Sequence, residues 1–370
     1  MIPWFAAPVG TLWPTTEQSR VLSAAIGPDD QAMAGFDAWR AELDLDSELG
    51  RDVFRLLPLV YERMRRLGVQ GPLMGRLKGV YRQSWCRTNT TLHRAIPVIA
   101  SLEAAGIRTL MLKGVPLIYG YYANPAVRPM SDADVMVPLS QVRQAMAVLE
   151  SAGWLSEMPA TEDHIAYRHA LSYRNVHGDE IDLHWHVMPE LATARADFDA
   201  WSGAREFEFG GIHSRQLSPE FMLMHLIVHG VHYNQEPPVR WISDAVTVLR
   251  VHGTSFDWPV LIALARRHRL TSRLYLGIDH LAQHYAAPIP GDVLRELACT
   301  PTSLVERIEN SLVMVNYDVV YRHALAKVWV IVAEYCRRNQ ANSAVGFLTG
   351  LTHYFRYRWR LRQRRLTAAT

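Results

Sequence analysis

The sequence predicts an α+β protein, a small mixed sheet with helical regions before and after it. Residues 106–137 and 178–187 carry apolar runs that alternate or stop at glycine and proline, whereas most of the remaining chain has apolar residues at helical spacing. An apolar side chain at every second residue is typical of a half-buried strand, and one at every third or fourth residue of a helix. We therefore expect an N-terminal arm and helical region at residues 1–105, a core at residues 106–217 and a C-terminal helical domain at residues 218–370.

The composition is that of a globular protein in a reducing compartment. The 370 residues are 49% apolar and 20% charged, and the net charge of +3 neither requires nor excludes a nucleic-acid partner. Cys86, Cys299 and Cys336 are odd in number and widely spaced, which argues against a disulfide framework. The N-terminal apolar run is cut by prolines, and no apolar stretch has the length that spans a bilayer. We expect a cytoplasmic protein without a membrane partner.

Residues 106–137 combine a glycine turn with two closely spaced carboxylates. An apolar run at residues 107–112 stops at Lys113-Gly114, and a second apolar run follows Asp132 and Asp134. Because side chains alternate along a strand, both aspartates should leave the sheet on one face. Adjacent carboxylates repel each other unless a cation lies between them, so the pair is a candidate Mg²⁺ site. The alternative is an Asp-x-Asp that only caps a turn.

A second strand offers a further carboxylate. Ile181, Leu183 and Trp185 alternate with Asp182 and His184 over residues 180–187, which predicts one apolar and one ionisable face. If this strand lies beside the first, Asp182 supplies a third acid. Three acids around two metal ions can activate a hydroxyl and stabilise a leaving pyrophosphate.

The motifs LKG, RPMSDxDxxV and IDLHW resemble the uncharacterised nucleotidyltransferase family of the DNA polymerase beta-like superfamily. The resemblance covers residues 50–250 and implies a minimal nucleotidyltransferase fold with helices on one side of the sheet and two Mg²⁺ ions. By match of motif it implies that Asp132 and Asp134 are the paired metal ligands and Asp182 the third acid, all three catalytic. Lys113-Gly114 stands where the superfamily usually has Gly-Ser or Gly-Gly.

Because Lys113-Gly114 stands in place of Gly-Ser or Gly-Gly, we expect other side chains to contact the triphosphate. We expect Lys113 to neutralise the triphosphate as a point charge, and Arg128 to bind it as a planar fork. The nucleotide-binding candidates are Lys113, Gly114, Arg128, Ser131, His184 and His229.

A helix predicted to start at Ser218-Pro219 carries three histidines on one side. His225, His229 and His232 could hold zinc, bind phosphate or deprotonate the acceptor, or be hydrogen-bonded core residues. Asp244, on the next predicted helix, could orient His229 or pair with Arg240.

The predicted activity is Mg²⁺-dependent transfer of a nucleoside monophosphate from an NTP, with ATP favoured, to an acceptor hydroxyl. The resemblance points to natural-product tailoring and so favours a small molecule or peptide acceptor, although a protein side chain or an RNA end also fits. The alternatives are a nucleotide-sensing module without catalysis and an RNA-directed, toxin-like transferase. The second would use the arginine-rich helix predicted at residues 347–366.

Chain breakers and periodicity also predict individual elements. We expect separate helices at residues 73–88 and 92–105, a strand at residues 165–176, an acidic linker after residue 189 and a hairpin at residues 206–217.

Overall fold

The computed structural model describes residues 12–43 and 49–314 except 123, 157, 159, 233 and 235, with positions 345, 348, 349, 351, 352, 355, 356 and 359. Within these residues the α+β prediction is confirmed, because one mixed sheet of seven strands is packed among helices. No helix in this part of the chain has both the length and the apolarity needed to cross a membrane. Most of the predicted arginine-rich helix lies outside the described residues, including Arg358, Arg360, Arg362, Arg364 and Arg365.

The sheet places the two predicted aspartate strands next to each other. Its order is β3-β4-β5-β2-β1-β7-β6, and β2 pairs antiparallel with β1 and parallel with β5. The predicted hairpin is confirmed as β6 and β7 at one end of the sheet. The strands are β1 Leu110–Leu112, β2 Asp132–Met136, β3 Leu155–Ser156, β4 Ala170–Arg174, β5 Glu180–His184, β6 Arg205–Phe209 and β7 Ile212–Gln216.

Helices precede, connect and follow the strands. In chain order they are α1 Thr16–Ile26, α2 Asp29–Glu42, α3 Arg51–Arg66, α4 Pro72–Ala104, α5 Gly114–Gly120, α6 Val142–Ser151, α7 Glu162–Tyr167, α8 Ala194–Ser202, α9 Pro219–Gly230, α10 Arg240–His252, α11 Trp258–His268, α12 Thr271–Tyr285, α13 Gly291–Cys299 and α14 Leu304–Val313.

The prediction of two helices between residues 73 and 105 is wrong, since α4 is continuous over 33 residues. The polar stretch at residues 88–91 contains neither glycine nor proline, so the backbone can remain helical. Thr88 and Thr91 are buried, and the Thr88 hydroxyl accepts a hydrogen bond from the Met130 backbone N–H at 3.2 Å. The threonines therefore face a neighbouring segment and do not mark a loop.

Two threonine caps account for two further corrections. The predicted strand at residues 165–176 is the helix α7 followed by the shorter strand β4, and Thr161 accepts a hydrogen bond from the His164 N–H at the start of α7. The predicted acidic linker contains α8, which Thr193 caps through the Ala196 N–H. A threonine oxygen that satisfies a free N–H favours a helix start at both places.

Two apolar cores lie on opposite faces of the sheet. On one face, Ala133 and Val135 of β2 pack with α4 and α6 in what we call the sheet core. On the other face, Leu110, Leu112 and Met136 join residues of α1 to α3 and α9 to α13 in what we call the helical core. Helices thus cover both faces, not one as the family resemblance implies. The division at residues 105 and 217 stays a prediction.

The contact between α9 and α12 depends on the small size of Gly277. A Cβ at this position would overlap Ile227 Cγ2 and lie 3.3 Å from Val231 Cγ2, and both of these side chains are fully buried. We expect Gly277→Ala to lower the free energy of unfolding by about 1–3 kcal/mol, because overpacking outweighs the better helix propensity of alanine. Urea denaturation measures the change.

Gly75→Ala is the matched control, since Gly75 lies in α4 with open space around it. Here only helix propensity changes, and we expect a gain of up to about 1 kcal/mol. Equal effects of the two substitutions would contradict the packing argument.

Candidate active site

Strand register brings the predicted acids onto one face of the sheet. In the parallel pair of β2 and β5, Asp134 lies opposite Asp182 and Asp132 lies opposite Glu180, while Met136 lies opposite His184. Because side chains alternate, these residues project from the face opposite to the buried residues of the sheet core. The expected neighbourhood of the two strands is therefore present.

The closest group of potential metal ligands is Asp134, Asp182 and His184. One ligand atom from each of these residues lies within 4.8 Å of the other two. The Asp132 carboxylate is outside this group and accepts a hydrogen bond from the Ser131 hydroxyl at 3.1 Å. The structure thus joins two of the three predicted acids directly, adds His184, and leaves Asp132 at the same face beside them.

Asp134 is the electrostatic centre of this group. It is 3% exposed, and its Oδ1 lies 3.0 Å from both Lys113 Nζ and His184 Nε2. Burial alone would raise the pKa of Asp134, but the Lys113 charge and the His184 hydrogen bond hold it well below its usual range. Asp134 is therefore a carboxylate at neutral pH.

The pKa of Asp182 shifts in the opposite direction to that of Asp134. Burial raises the pKa of Asp182, and so does the negative charge of Asp134, although the Ser172 hydroxyl donates a hydrogen bond to its Oδ1 at 2.5 Å. Two carboxylates so close, with one ammonium paired to Asp134, have capacity for a further cation. Their oxygen atoms suit Mg²⁺, whereas an imidazole does not, so we assign His184 to orienting Asp134.

The Lys113-Gly114 turn has the tight geometry that the sequence predicts. Lys113 has a φ of +44°, and Gly114 starts the short helix α5. A Cβ at Gly114 would lie 2.7 Å from Met130 Sδ and 3.4 Å from Arg128 Nη1. The absence of a side chain lets the segment before β2 lie against the turn, and this contact holds Lys113 near Asp134.

The Arg128 guanidinium is buried and hydrogen-bonded, so it does not project into open space. It is 4% exposed, and its Nε and Nη2 donate to the two carboxylate oxygens of Asp244, each at 2.9 Å. The Tyr122 hydroxyl donates to the same carboxylate at 2.9 Å. Asp244 thus pairs with Arg128, and the expected pairing with Arg240 or His229 is wrong. Since Nε and Nη2 of Arg128 are paired with Asp244, we do not assign Arg128 to the triphosphate.

The three histidines follow the axis of α9 towards the acids. The rings of His225, His229 and His232 are stacked with centroid separations of 6.1 and 6.3 Å. His225 is fully buried and neither of its ring nitrogens has a hydrogen-bond partner among the described residues. His229 is exposed although dense protein surrounds it, as expected for the wall of a recess. Within the same residues, these rings do not form a three-ligand metal cluster.

Burial, together with the positive charge of Lys113, favours the neutral form of His225 and His229. Burial and the positive charge of Lys113 lower the pKa of His229 to about 4 and hold that of His225 well below its usual range. A neutral imidazole on the wall of a recess can donate one hydrogen bond and accept another.

Sequence reasoning missed Ser172, which binds Asp182 directly. Ser172 lies opposite Asp182 in the antiparallel pair of β4 and β5. The alternation of β4 contained this signal, but the strand was predicted several residues too long.

The chain is similar to one protein family and to several solved structures. A family described as "Uncharacterised nucleotidyltransferase" matches residues 52–286 of the chain. No curated protein matches. Among solved structures, the antibiotic-resistance factor ANT(2'')-Ia is similar at 16% identity and a TM-score of 0.35, over 53% of this chain and 99% of its own.

Two other solved structures are similar at the same level. An antigenic nucleotidyltransferase-like protein from Paracoccidioides brasiliensis has 14% identity and a TM-score of 0.31, over 49% of this chain and 91% of its own. The Megavirus polyadenylate synthase has 13% identity and a TM-score of 0.32, over 56% of this chain and 39% of its own. TM-scores this low do not establish a shared function.

Proposed function

We propose, for a chain that belongs to the uncharacterised nucleotidyltransferase family, an Mg²⁺-dependent transfer of a nucleoside monophosphate from an NTP to an acceptor hydroxyl. Family membership makes nucleotidyl transfer the general activity, while the metal, the nucleotide and the acceptor are our proposal. The observation that carries it is the pairing of β2 with β5, which puts Asp134 opposite Asp182 in a group with His184.

Each site residue has a separate role in this proposal. Asp132, Asp134 and Asp182 would hold Mg²⁺, which when bound neutralises phosphate charge and polarises the phosphoryl group. His184 keeps Asp134 in position through their 3.0 Å hydrogen bond. Lys113, whose ammonium lies 3.0 Å from Asp134, is placed to pair with phosphate oxygens of a nucleotide bound at this carboxylate.

The chemistry is an in-line displacement at the α-phosphorus. The acceptor oxygen forms a bond to that phosphorus as the bond to the β-phosphate oxygen breaks, and pyrophosphate leaves with the electron pair. The hydroxyl proton passes to a carboxylate of the site. We assign this step to Asp182, whose carboxylate lies opposite Asp134 in the pairing of β2 with β5.

His229 is proposed to donate a hydrogen bond to a nucleotide phosphate. We expect His229→Leu to raise the KM for the NTP by about tenfold while kcat changes little, because leucine has no donor and one hydrogen bond to a charged group is lost. Steady-state kinetics separate the two constants. A loss confined to kcat would contradict phosphate binding.

His232→Leu is the matched control, since His232 belongs to the same row of stacked histidine rings. The charges that act on His232 are those of Arg273 and Glu190, not those of the acid group. We therefore expect its KM for the NTP to equal that of the unchanged protein.

The test of the proposed function is a labelling experiment. The protein is incubated with cell extract, Mg²⁺ and each α-labelled NTP in turn, and pyrophosphate release is followed alongside. We expect label on an acceptor with ATP, one pyrophosphate for each label, and no label in EDTA or with Asp182→Asn. Transfer that persists in EDTA would overturn the metal assignment.

The two alternatives predict other outcomes of the same experiment. A nucleotide-sensing module would show an NTP-dependent rise in melting temperature but no labelled product with any NTP. An RNA-directed transferase would place the label on RNA, whereas we propose a small molecule or a peptide, in keeping with natural-product tailoring. The cytoplasmic location remains a prediction from the cysteine pattern.

A further inference from the structure

A cavity lined by four arginines lies next to the acid group. Its volume is about 280 Å³, and it is formed by α3, α4, the segment before β2 and the first residue of α10. Its other walls are largely apolar and include Phe54, which is 43% exposed. The arginines are Arg51 and Arg55 on α3, Arg87 on α4 and Arg240 on α10.

Positive charge exceeds negative charge in this cavity. Asp52 lies 3.5 Å from Arg55, and Glu236 accepts a hydrogen bond from the Asp52 backbone N–H at 3.4 Å. Arg240 donates only to the Pro129 carbonyl among its described hydrogen bonds, at 2.9 Å. Burial lowers the pKa of Arg240 to about 10; the charges of Arg128 and Arg55 act in the same direction, and those of Asp244 and Asp132 oppose them. Like charges held together in a recess are costly unless an anion joins them.

The cavity adjoins the acid group without containing it. Ser131 lines the cavity, and its hydroxyl donates to the Asp132 carboxylate at 3.1 Å. Lys113, Asp134 and Asp182 are not among the lining residues. A ligand in this cavity would therefore lie beside Asp132, at the edge of the acid group, without touching Lys113, Asp134 or Asp182.

The size of the cavity limits what it can hold. Its 280 Å³ is below the range of roughly 300–1,000 Å³ typical of pockets that enclose a whole drug-sized ligand. It suits one charged end of a molecule with a small apolar part against Phe54. Planar guanidinium groups bind phosphate and carboxylate groups with two hydrogen bonds each.

We infer that this arginine cavity binds the acceptor through a phosphate or carboxylate group, next to the hydroxyl that receives the nucleotidyl group. The acceptor is then an anionic small molecule or an acidic peptide end. The assignment to the acceptor rests on the proposed function, whereas the affinity of the cavity for an anion does not.

The test uses phenyl phosphate as the probe and isothermal titration calorimetry in EDTA. We expect Arg51→Ala/Arg87→Ala to weaken binding by at least about tenfold, because charge-assisted hydrogen bonds are lost. Both side chains are exposed, so the fold should persist. Arg82→Ala is the control, since Arg82 is an exposed arginine of α4 that does not line the cavity. Benzyl alcohol, which lacks the charge, should not bind.

Further measurements separate this inference from the proposed function. Asp182→Asn should lose label transfer but keep phenyl phosphate binding, which would support both proposals. The arginine double variant should bind ATP and Mg²⁺ as the unchanged protein does. Loss of ATP binding would assign the cavity to the triphosphate and overturn the inference, and so would unchanged phenyl phosphate binding. If label transfer fails but phenyl phosphate binding still requires the arginines, the anion site stands without its acceptor role.

Discussion

Asp134→Asn is expected to lower kcat/KM for nucleotidyl transfer by about a thousandfold or more. The carboxylate sits within 4.8 Å of the ligand atoms of Asp182 and His184, and an amide would remove the charge that we propose holds a divalent cation there. Metal-assisted charge stabilisation is worth several kcal/mol, and each 1.36 kcal/mol is about tenfold in rate. Label transfer from α-labelled ATP, measured over a range of Mg²⁺ concentrations, gives the change.

The fold should survive this substitution, because Asn has the same shape and Lys113 is partly exposed. Circular dichroism checks that the variant is folded. Glu208→Gln is the control, since this carboxylate of β6 is exposed and its described ion pair is a distant one of 3.9 Å with His213. Activity retained in a folded Asp134→Asn protein would remove the acid group from the mechanism.

Arg128→Met is expected to lower the free energy of unfolding by about 3–5 kcal/mol, since it leaves Asp244 charged and buried without its partner. The pair is enclosed, with side chains 4% and 3% exposed. Most of the loss should return in Arg128→Met/Asp244→Leu, where no charge is left unpaired. Urea denaturation of the single and double variants measures this coupling.

Arg143→Met is the control, because its pair with Glu162 is exposed and should contribute at most about 1 kcal/mol. A double variant as unstable as Arg128→Met would contradict the coupling. The double variant also tests the role predicted for Arg128 from the sequence. If Arg128 bound the triphosphate, the restored protein would still have a raised KM for ATP, whereas a purely structural ion pair predicts an unchanged KM.

The sequence indicated the placement of the acids well, because strand periodicity is local information. Alternation alone put Asp132 and Asp134 on one face, and the ionisable face of the later strand pointed to Asp182. The pairing of Arg128 with Asp244 could not be read in this way, since it joins residues 116 apart whose approach depends on the packing of α10. The arginine cavity could not be predicted for the same reason, because its lining residues come from α3, α4 and α10, which are far apart in the sequence.

Element boundaries were predicted less well than element types, for reasons visible at single residues. Thr161 and Thr193 act as helix caps, but threonine is also a favoured strand residue. The predicted boundary between the helices at residues 73–88 and 92–105 falls at Thr88 and Thr91. Their burial against a neighbouring segment, which only the folded chain provides, keeps the helix continuous.

Helix α4 is long enough to contribute residues to both the helical core and the sheet core, and it therefore connects the two. Its 33 residues form a rod of about 50 Å, with Leu77 near one end in the helical core and Leu92 to Leu102 in the sheet core. A chain starting at residue 106 would leave Met111, Val135 and Ile181 with α6 but without residues 92–102 of α4 on their side of the sheet. A tilt of α4 that opens the arginine cavity must also move β2, which packs against α4 and carries Asp132 and Asp134.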